Sequence, residues 1–248
     1  MSNFLDNLLD ERTSSSWIEQ NSDEWSLVRI GRFTSSEIHR LMEPSKREMT
    51  ERELSDRPKS GPGSKTKFVY DFSKLSDGAI TYVREKVSEI LTGTSRNSAY
   101  SYAVFWGTEH EDEAREYFAQ KTGFNVEKVG FFKFTDHAGG SPDGFVNDDA
   151  ILEIKCPFDS KNHIGYLMLT DQWDLKALYF DHWVQCQANM LFTDRNMCHF
   201  VAYDPRMKDD KHKMVHIQIT PDNETRERIV HQIELAVKEK LELLKLLK

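Results

Sequence analysis

Apolar residues recur every three or four positions in some stretches of the chain and every second position in others, and the two periods separate predicted helices from predicted strands. Ala79, Ile80, Val83, Val87, Ile90 and Leu91 share a helical face that Gly93 terminates. Thr108 to Gly123 repeats the design, with Thr108 and Glu111 spaced as a capping box and Ala114, Tyr117 and Phe118 as the buried stripe. A third helix is expected from Asn223 to Leu247, where Ile229, Ile233, Ala236, Val237, Leu241 and Leu244 form the stripe. Asp174 to Leu191 also reads as one helix, with Leu175, Leu178, Trp183, Gln185 and Cys186 on or near one face. Upstream, Thr34-Ser35-Ser36-Glu37 has the form of a second capping box ahead of Ile38, Leu41 and Met42, so a short helix is predicted to start near Ser35.

From Val126 the period shortens towards two. Strands are predicted over Glu127 to Phe134, Gly144 to Val146, Ala150 to Cys156, Cys198 to Tyr203 and Met214 to Ile219. Asn147, Asp148 and Asp149 supply the turn that would join the second and third into a hairpin. One stretch interrupts the patterning: residues 43–67 combine charge with Pro58, Gly61, Pro62 and Gly63, and are expected to be a mobile excursion. The order of elements predicts an α/β (α+β) fold in a single domain over 1–248, with a central mixed β-sheet flanked by helices and closed by the helix at about 223–247.

Composition narrows the class. The chain has 248 residues, 38% of them hydrophobic and 11% aromatic, which suffices for a core without disulfides or metal staples. Nowhere do about 18 apolar residues run together, and the acidic start MSNFLDNLLDERTSSSWIEQ lacks the basic and apolar regions of a signal peptide, so membrane insertion and secretion are not expected. Cys156, Cys186 and Cys198 form no CxxC pair, which fits a reducing cytoplasm and gives no iron–sulfur or structural zinc site. His182 and Cys186 lie one helical turn apart but have no second pair of ligands, and read as a packed helix face. The net charge of −8 excludes a protein that coats nucleic acid with its whole surface, while leaving room for a basic channel.

The informative chemistry lies between Ser141 and Lys155. Along a strand, Glu153 and Lys155 share a face with Ile151, while Leu152 and Ile154 point into the opposite layer. If the hairpin pairs around Asn147 to Asp149, Asp143 comes to lie beside Glu153, and two carboxylates meet an ammonium. Such a cluster is costly without a cation, and Mg²⁺ or Mn²⁺ is the natural counter-charge for oxygen ligands. Residue by residue, Glu153 and Lys155 also read as the solvated face of a strand and Pro142-Asp143-Gly144 as a turn. Taken together, the proline-aspartate turn, the hairpin and the E-x-K at the end of an apolar strand match the PD-(D/E)xK nuclease signature.

Arg29-Ile30-Gly31 through Glu37, Trp106-Gly107 through Glu111 and Ala114-Arg115, Ser141-Pro142-Asp143-Gly144, Glu153-Ile154-Lys155-Cys156-Pro157, Gln185-Cys186-Gln187 and Tyr203-Asp204-Pro205-Arg206-Met207-Lys208 follow one another as in a known family. Over about Trp25 to Lys208 the chain resembles the phage lambda-type (alkaline) exonuclease family of the PD-(D/E)xK superfamily. The excursion at 43–67 and the N-terminal leader depart from it.

The resemblance implies a restriction-endonuclease-like core and a Mg²⁺-dependent, processive 5′→3′ exonuclease on double-stranded DNA, which releases 5′ mononucleotides and leaves a 3′ single strand for phage-type recombination by strand annealing. It implies Asp143, Glu153, the Ile154 backbone carbonyl and Glu111 as ligands of two Mg²⁺ ions, with Mn²⁺ an acceptable substitute and Ca²⁺ inhibitory. Lys155 would orient or deprotonate the attacking water, so activity is expected to rise towards alkaline pH, and Gln185 would support that lysine. Glu111 taken alone reads rather as the capping partner of Thr108. Arg29, Ser36 and Ser141 match positions that hold the 5′-terminal phosphate, and free amides of a helix starting near Ser35 would add an anion site; alone, Ser36 reads as a cap and Arg29 as a surface charge. Also implied are a homotrimeric ring around the DNA, a single-strand annealing partner, no membrane partner, and a cytoplasmic site in a phage or prophage host. An endonuclease on the same core and a non-catalytic DNA-binding protein are the alternatives.

Overall fold

In a computed structural model, the protein is described for residues 18 and 20 and for 22–61, 65–95 and 102–248. The N-terminal leader at 1–17 and Pro62 and Gly63 of the excursion lie outside the described residues. The helices are α1 (Asp23–Arg29), α2 (Glu51–Asp56), α3 (Asp77–Thr92), α4 (Tyr102–Thr122), α5 (Ser160–Leu167), α6 (Gln172–Leu178), α7 (Phe180–Thr193) and α8 (Asn223–Leu246). The strands are β1 (Phe33–Thr34), β2 (Pro44–Glu48), β3 (Phe68–Leu75), β4 (Val126–Glu127), β5 (Phe132–Thr135), β6 (Ala138–Gly140), β7 (Gly144–Val146), β8 (Ala150–Lys155), β9 (Met197–Tyr203) and β10 (Met214–Ile219).

The central sheet has the order β10-β9-β8-β7-β4; only the β8–β9 pair is parallel, so the sheet is mixed, as the element order predicted. A smaller sheet, β1-β6-β5, stands apart from it, with β1 parallel to β6. Strand β8 lies at the centre of the larger sheet, and its alternate residues enter two cores. Ile151 packs with Phe200, Trp183, Ile229 and Ile233 on the side of α3, α7 and α8, whereas Leu152 and Ile154 pack with Ala114 and Phe118 of α4. Burial of each such side chain contributes about 1.5–3 kcal/mol. An unpaired carboxylate in the same strand costs several kcal/mol. Glu153, only 1% exposed, is therefore tolerated there only with donors on its oxygens.

Several elements differ from the sequence reading. The excursion at 43–67 carries structure of its own, because β2 pairs antiparallel with β3 and Thr50 and Glu53 form a capping box for α2. The strand expected over Glu127 to Phe134 is two strands in different sheets, β4 against β7 and β5 against β6. The helix expected over Asp174 to Leu191 breaks at Tyr179 (φ −136°, ψ 60°), whose ring packs against Tyr166 and His182. The apolar spacing runs on through this break and could not reveal it. The segment after Ser35 forms a single 3₁₀ turn, Ile38–Leu41, with no side-chain cap. By contrast, α3 ends at Gly93 in the left-handed region (φ 66°), as read. Among the described residues no helix is long and apolar enough to cross a membrane.

Candidate active site

The β7–β8 hairpin brings the first carboxylates together. Asn147 takes a left-handed turn conformation (φ 48°), and the register Gly144↔Leu152 sets Asp143 across from Glu153. The ladder extends past the strand end: the Asp143 amide donates to Leu152 O at 2.9 Å, and the Ile154 amide donates to Asp143 Oδ2 at 2.6 Å. Asp143 is thus fixed by the backbone of the strand that carries its partner. Helix α4 packs against this strand and presents Glu111, and α7 presents Gln185; with Lys155, Ile154 and Thr108 they line one cleft of about 380 Å³.

Each Glu153 oxygen has a donor. Lys155 Nζ reaches Oε1 at 2.7 Å and Asn189 Nδ2 donates to Oε2 at 3.0 Å. Lys155 Nζ also donates to Gln185 Oε1 at 3.0 Å, so Gln185 orients the ammonium. Arg115 binds the other carboxylate: its Nη2 donates to Glu111 Oε1 at 2.5 Å, its Nε to the Asp143 carbonyl at 2.9 Å, and its Nη1 to Asp112. Asn189 was not singled out from the sequence, and Arg115 was read only as part of a family motif, without a role. A legible signal existed for each: Asn189 follows Gln185 by four residues on α7, and Arg115 follows Glu111 by four on α4.

The capping-box reading of Glu111 does not survive. Helix α4 already runs from Tyr102, Thr108 is inside it with its hydroxyl bonded to Val104 O at 3.2 Å, and Glu111 faces the cleft. Three carboxylates, Asp143, Glu153 and Glu111, accordingly meet two cations, Lys155 and Arg115. Burial, then repulsion from Glu153 and Glu111, pushes Asp143 well above the ordinary carboxylate range. Burial likewise lifts Glu111, against the opposing pull of Arg115. Burial pulls Lys155 down, but Glu153 and Asp143 outweigh it, and the ammonium is held above its ordinary value. With no cation bound, the neighbouring carboxylates thus favour the charged form of Lys155, which suits orienting the attacking water better than deprotonating it.

Among the described residues, no three His, Cys, Asp or Glu side chains are drawn together as a closed metal cage. The charge balance still suits a hard cation. The donors are carboxylate oxygens whose mutual repulsion Lys155 and Arg115 offset only in part. His182 and Cys186 do not pair as ligands: His182 accepts or shares a proton with the Tyr166 hydroxyl at 2.8 Å, and Cys186 is fully buried.

The second group of residues gathers at the small sheet. Thr34 pairs in parallel with Gly139, so Ser36 and Ser141, each two residues further on, leave the same end of the β1–β6 ladder. Arg29 stacks on the Trp25 ring, 3.9 Å from its centroid, and the same indole donates Nε1–H to Ser141 Oγ at 2.9 Å. Trp25, which the sequence reading passed over, thereby connects Arg29 to the loop carrying Asp143. Burial lowers the Arg29 pKa, against the pull of Tyr82, Glu37 and Glu89. Ser36 is exposed, with its hydroxyl 3.3 Å from that of Thr34. The helix N-terminus expected to offer free amides is absent: the amides of Ser35, Glu37 and Ile38 donate to Gly139, Thr34 and Ser35 carbonyls.

Residues 24–196 match the family described as a YqaJ-like viral recombinase domain. The fold is similar to that of an alkaline exonuclease (LHK-Exo) from Laribacter hongkongensis, with 25% identity and a TM-score of 0.69 over 91% of this chain and 96% of that one. The structure of LHK-Exo in complex with dAMP gives 26% identity and a TM-score of 0.70 over 92% and 96% of the two chains. A phage related exonuclease from Haemophilus somnus 129PT shares the fold at 17% identity, with a TM-score of 0.64 over 88% of this chain and 96% of that one. No curated protein matches.

Proposed function

The chain belongs to the YqaJ-like viral recombinase domain family, and from that premise we propose that it is a Mg²⁺-dependent exonuclease that degrades one strand of duplex DNA from its 5′ end. The observation that carries this reading is the convergence of Asp143, Glu153, Glu111 and Lys155 on one cleft, with Arg29 joined to the same loop through Trp25 and Ser141. The likeness to an alkaline exonuclease supports it, and the dAMP held by that relative supports a deoxynucleoside monophosphate as product.

Asp143, Glu153, the Ile154 carbonyl and Glu111 would hold the Mg²⁺, which when bound supplies Lewis-acid activation of water and neutralises charge at the leaving 3′ oxygen. The remaining work falls to the chain itself. Lys155, kept protonated by Glu153 and Asp143 and aimed by Gln185, offsets charge on the scissile phosphate. Asn189 holds the Glu153 carboxylate in one orientation. Arg115 ties α4 to the Asp143 carbonyl and so sets the spacing between the two carboxylate-bearing elements. Arg29, with Ser141 and Ser36, would take the terminal 5′ phosphate, and each cleavage regenerates that ligand on the shortened strand.

The test is a time course on linear and covalently closed circular duplex with Mg²⁺, the linear form carrying either a 5′ phosphate or a 5′ hydroxyl. Expected is release of mononucleotides from linear DNA alone, faster from the phosphorylated end. Cutting of the closed circle would make the protein an endonuclease, and no turnover with Mg²⁺ or Mn²⁺ would leave it a binding protein.

A further inference from the structure

Two residues after Arg29 the chain turns sharply at Gly31 (φ 69°) and enters β1. Neither polar group of the Gly31 residue pairs with the strand ladder. Its amide donates to Glu89 Oε2 of α3 at 2.9 Å, and its carbonyl accepts from Lys240 Nζ of α8 at 2.7 Å, across 209 positions of sequence. Lys240 is 1% exposed and Glu89 4% exposed. Glu89 is held in turn by Lys86, whose Nζ lies 3.0 and 3.2 Å from its two oxygens. The Lys240 ammonium also sits 4.9 Å from the Phe33 ring centroid, at the start of β1.

Burying an ammonium for one carbonyl is expensive. Burial, with Arg32 and Lys86 nearby and Glu89 opposing them, pulls Lys240 down to about 8. Packing alone would be served better by a methionine or leucine on this helix face. What the lysine accomplishes is directional: a charge-assisted donor on one side of Gly31 and a carboxylate acceptor on the other fix the rotation of the segment that Arg29 belongs to. The close fit adds to this, since a Cβ on Gly31 would come 2.4 Å from Ile90 Cγ1.

We propose that Lys240 is a positioning residue for recognition of the DNA end: with Glu89 it pins Gly31 between α3 and α8 and so directs Arg29 towards a terminal 5′ phosphate. This rests on the reading of Arg29 as the phosphate ligand. Lys240 touches neither substrate nor the carboxylate cleft, so its effect belongs to end preference rather than to chemistry.

The experiment compares kcat/KM on 5′-phosphoryl and 5′-hydroxyl duplexes for the wild type, Lys240→Met, Lys240→Arg, Arg29→Ala and the double variant Arg29→Ala/Lys240→Met. Expected is a preference for phosphorylated ends that drops about tenfold in Lys240→Met, with the rate on hydroxyl ends within about twofold of the wild type, and that Lys240→Arg restores. In the Arg29→Ala background, Lys240→Met should lower the preference no further. If Lys240→Met does not fold, Lys240→Leu, which also removes the donor to Gly31, is measured in its place against the same expectation. A folded Lys240 variant with full preference, or equal losses on both ends, overturns the inference while leaving Arg29 as the phosphate ligand. Full preference in Arg29→Ala overturns the phosphate reading itself, and this inference with it.

Discussion

Asn189 makes one contact with the site, and removing it separates orientation of a carboxylate from stability of the fold. The side chain is fully buried, and its Nδ2 is the donor to Glu153 Oε2 at 3.0 Å while Lys155 serves Oε1. In Asn189→Leu the lost hydrogen bond to a charged, buried acceptor costs about 1.5–3 kcal/mol. Against this, the substitution removes Asn189 Oδ1, which has no hydrogen-bond partner, and an unpaired buried oxygen costs about 1–3 kcal/mol. The two terms nearly cancel, so the net change lies between about 1.5 kcal/mol gained and about 2 kcal/mol lost. For a chain of this length that is a fall in Tm of at most roughly 8 °C. Function has no such compensation: Glu153, held on one side only, swings towards Lys155, and losing a partner that orients a metal ligand typically costs about 10–100-fold in activity or metal affinity. Initial rates of mononucleotide release across a Mg²⁺ titration, beside thermal melts, measure both. Asn189→Asp, which sets a second carboxylate against Glu153, should melt lower still at neutral pH and recover on acidification. Wild-type rates for Asn189→Leu at every Mg²⁺ concentration would refute the idea that this contact orients a catalytic carboxylate.

Asp143→Asn should be inactive yet more stable than the metal-free wild type at neutral pH. Its folded pKa is raised, by burial and by Glu153 and Glu111, so the carboxyl burdens the fold increasingly as pH rises from its unfolded value through its folded one; the Tm advantage of the variant should grow over that window, and a constant or negative difference would count against the crowding argument. Lys155→Met should lower kcat by about 10²–10³-fold, and a wild-type rate would remove it from the chemistry. Because Lys155 is held protonated, activity in the wild type should show no gain attributable to its deprotonation between pH 7 and 9; a rise over that range that disappears in Lys155→Arg would restore it as a base. Gly31→Ala should cost about 1–2 kcal/mol from the left-handed backbone alone, plus the clash with Ile90, so adding Ile90→Ala should recover only the clash; complete recovery of Tm would show that the backbone is unstrained.

The parts of the site that were legible in the sequence are those built by neighbours in the chain. The Asn147–Asp149 turn, the two-residue alternation of β8, the placing of Glu153 opposite Asp143 and the shared face of Glu153 and Lys155 follow from local turn chemistry and strand pleat, which act over a dozen residues. The stripes of α3 and α8 were legible for the same reason, since helical spacing is a local property. Tertiary structure decided the rest. Whether Thr108 caps a helix or lies inside one depended on where α4 begins, and the spacing of Thr108 and Glu111 is compatible with both. The break at Tyr179 depended on a ring packed against Tyr166, and the pairing of β1 with β6 on a partner more than a hundred residues away. The hold of Asn189 on Glu153, of Trp25 on Ser141 and of Lys240 on Gly31 spans 36, 116 and 209 positions. No local preference encodes such contacts, because an amide, an indole or an ammonium has the same intrinsic tendencies wherever it lies. Its partner is chosen only when the packed layers exclude water and leave one acceptor within reach.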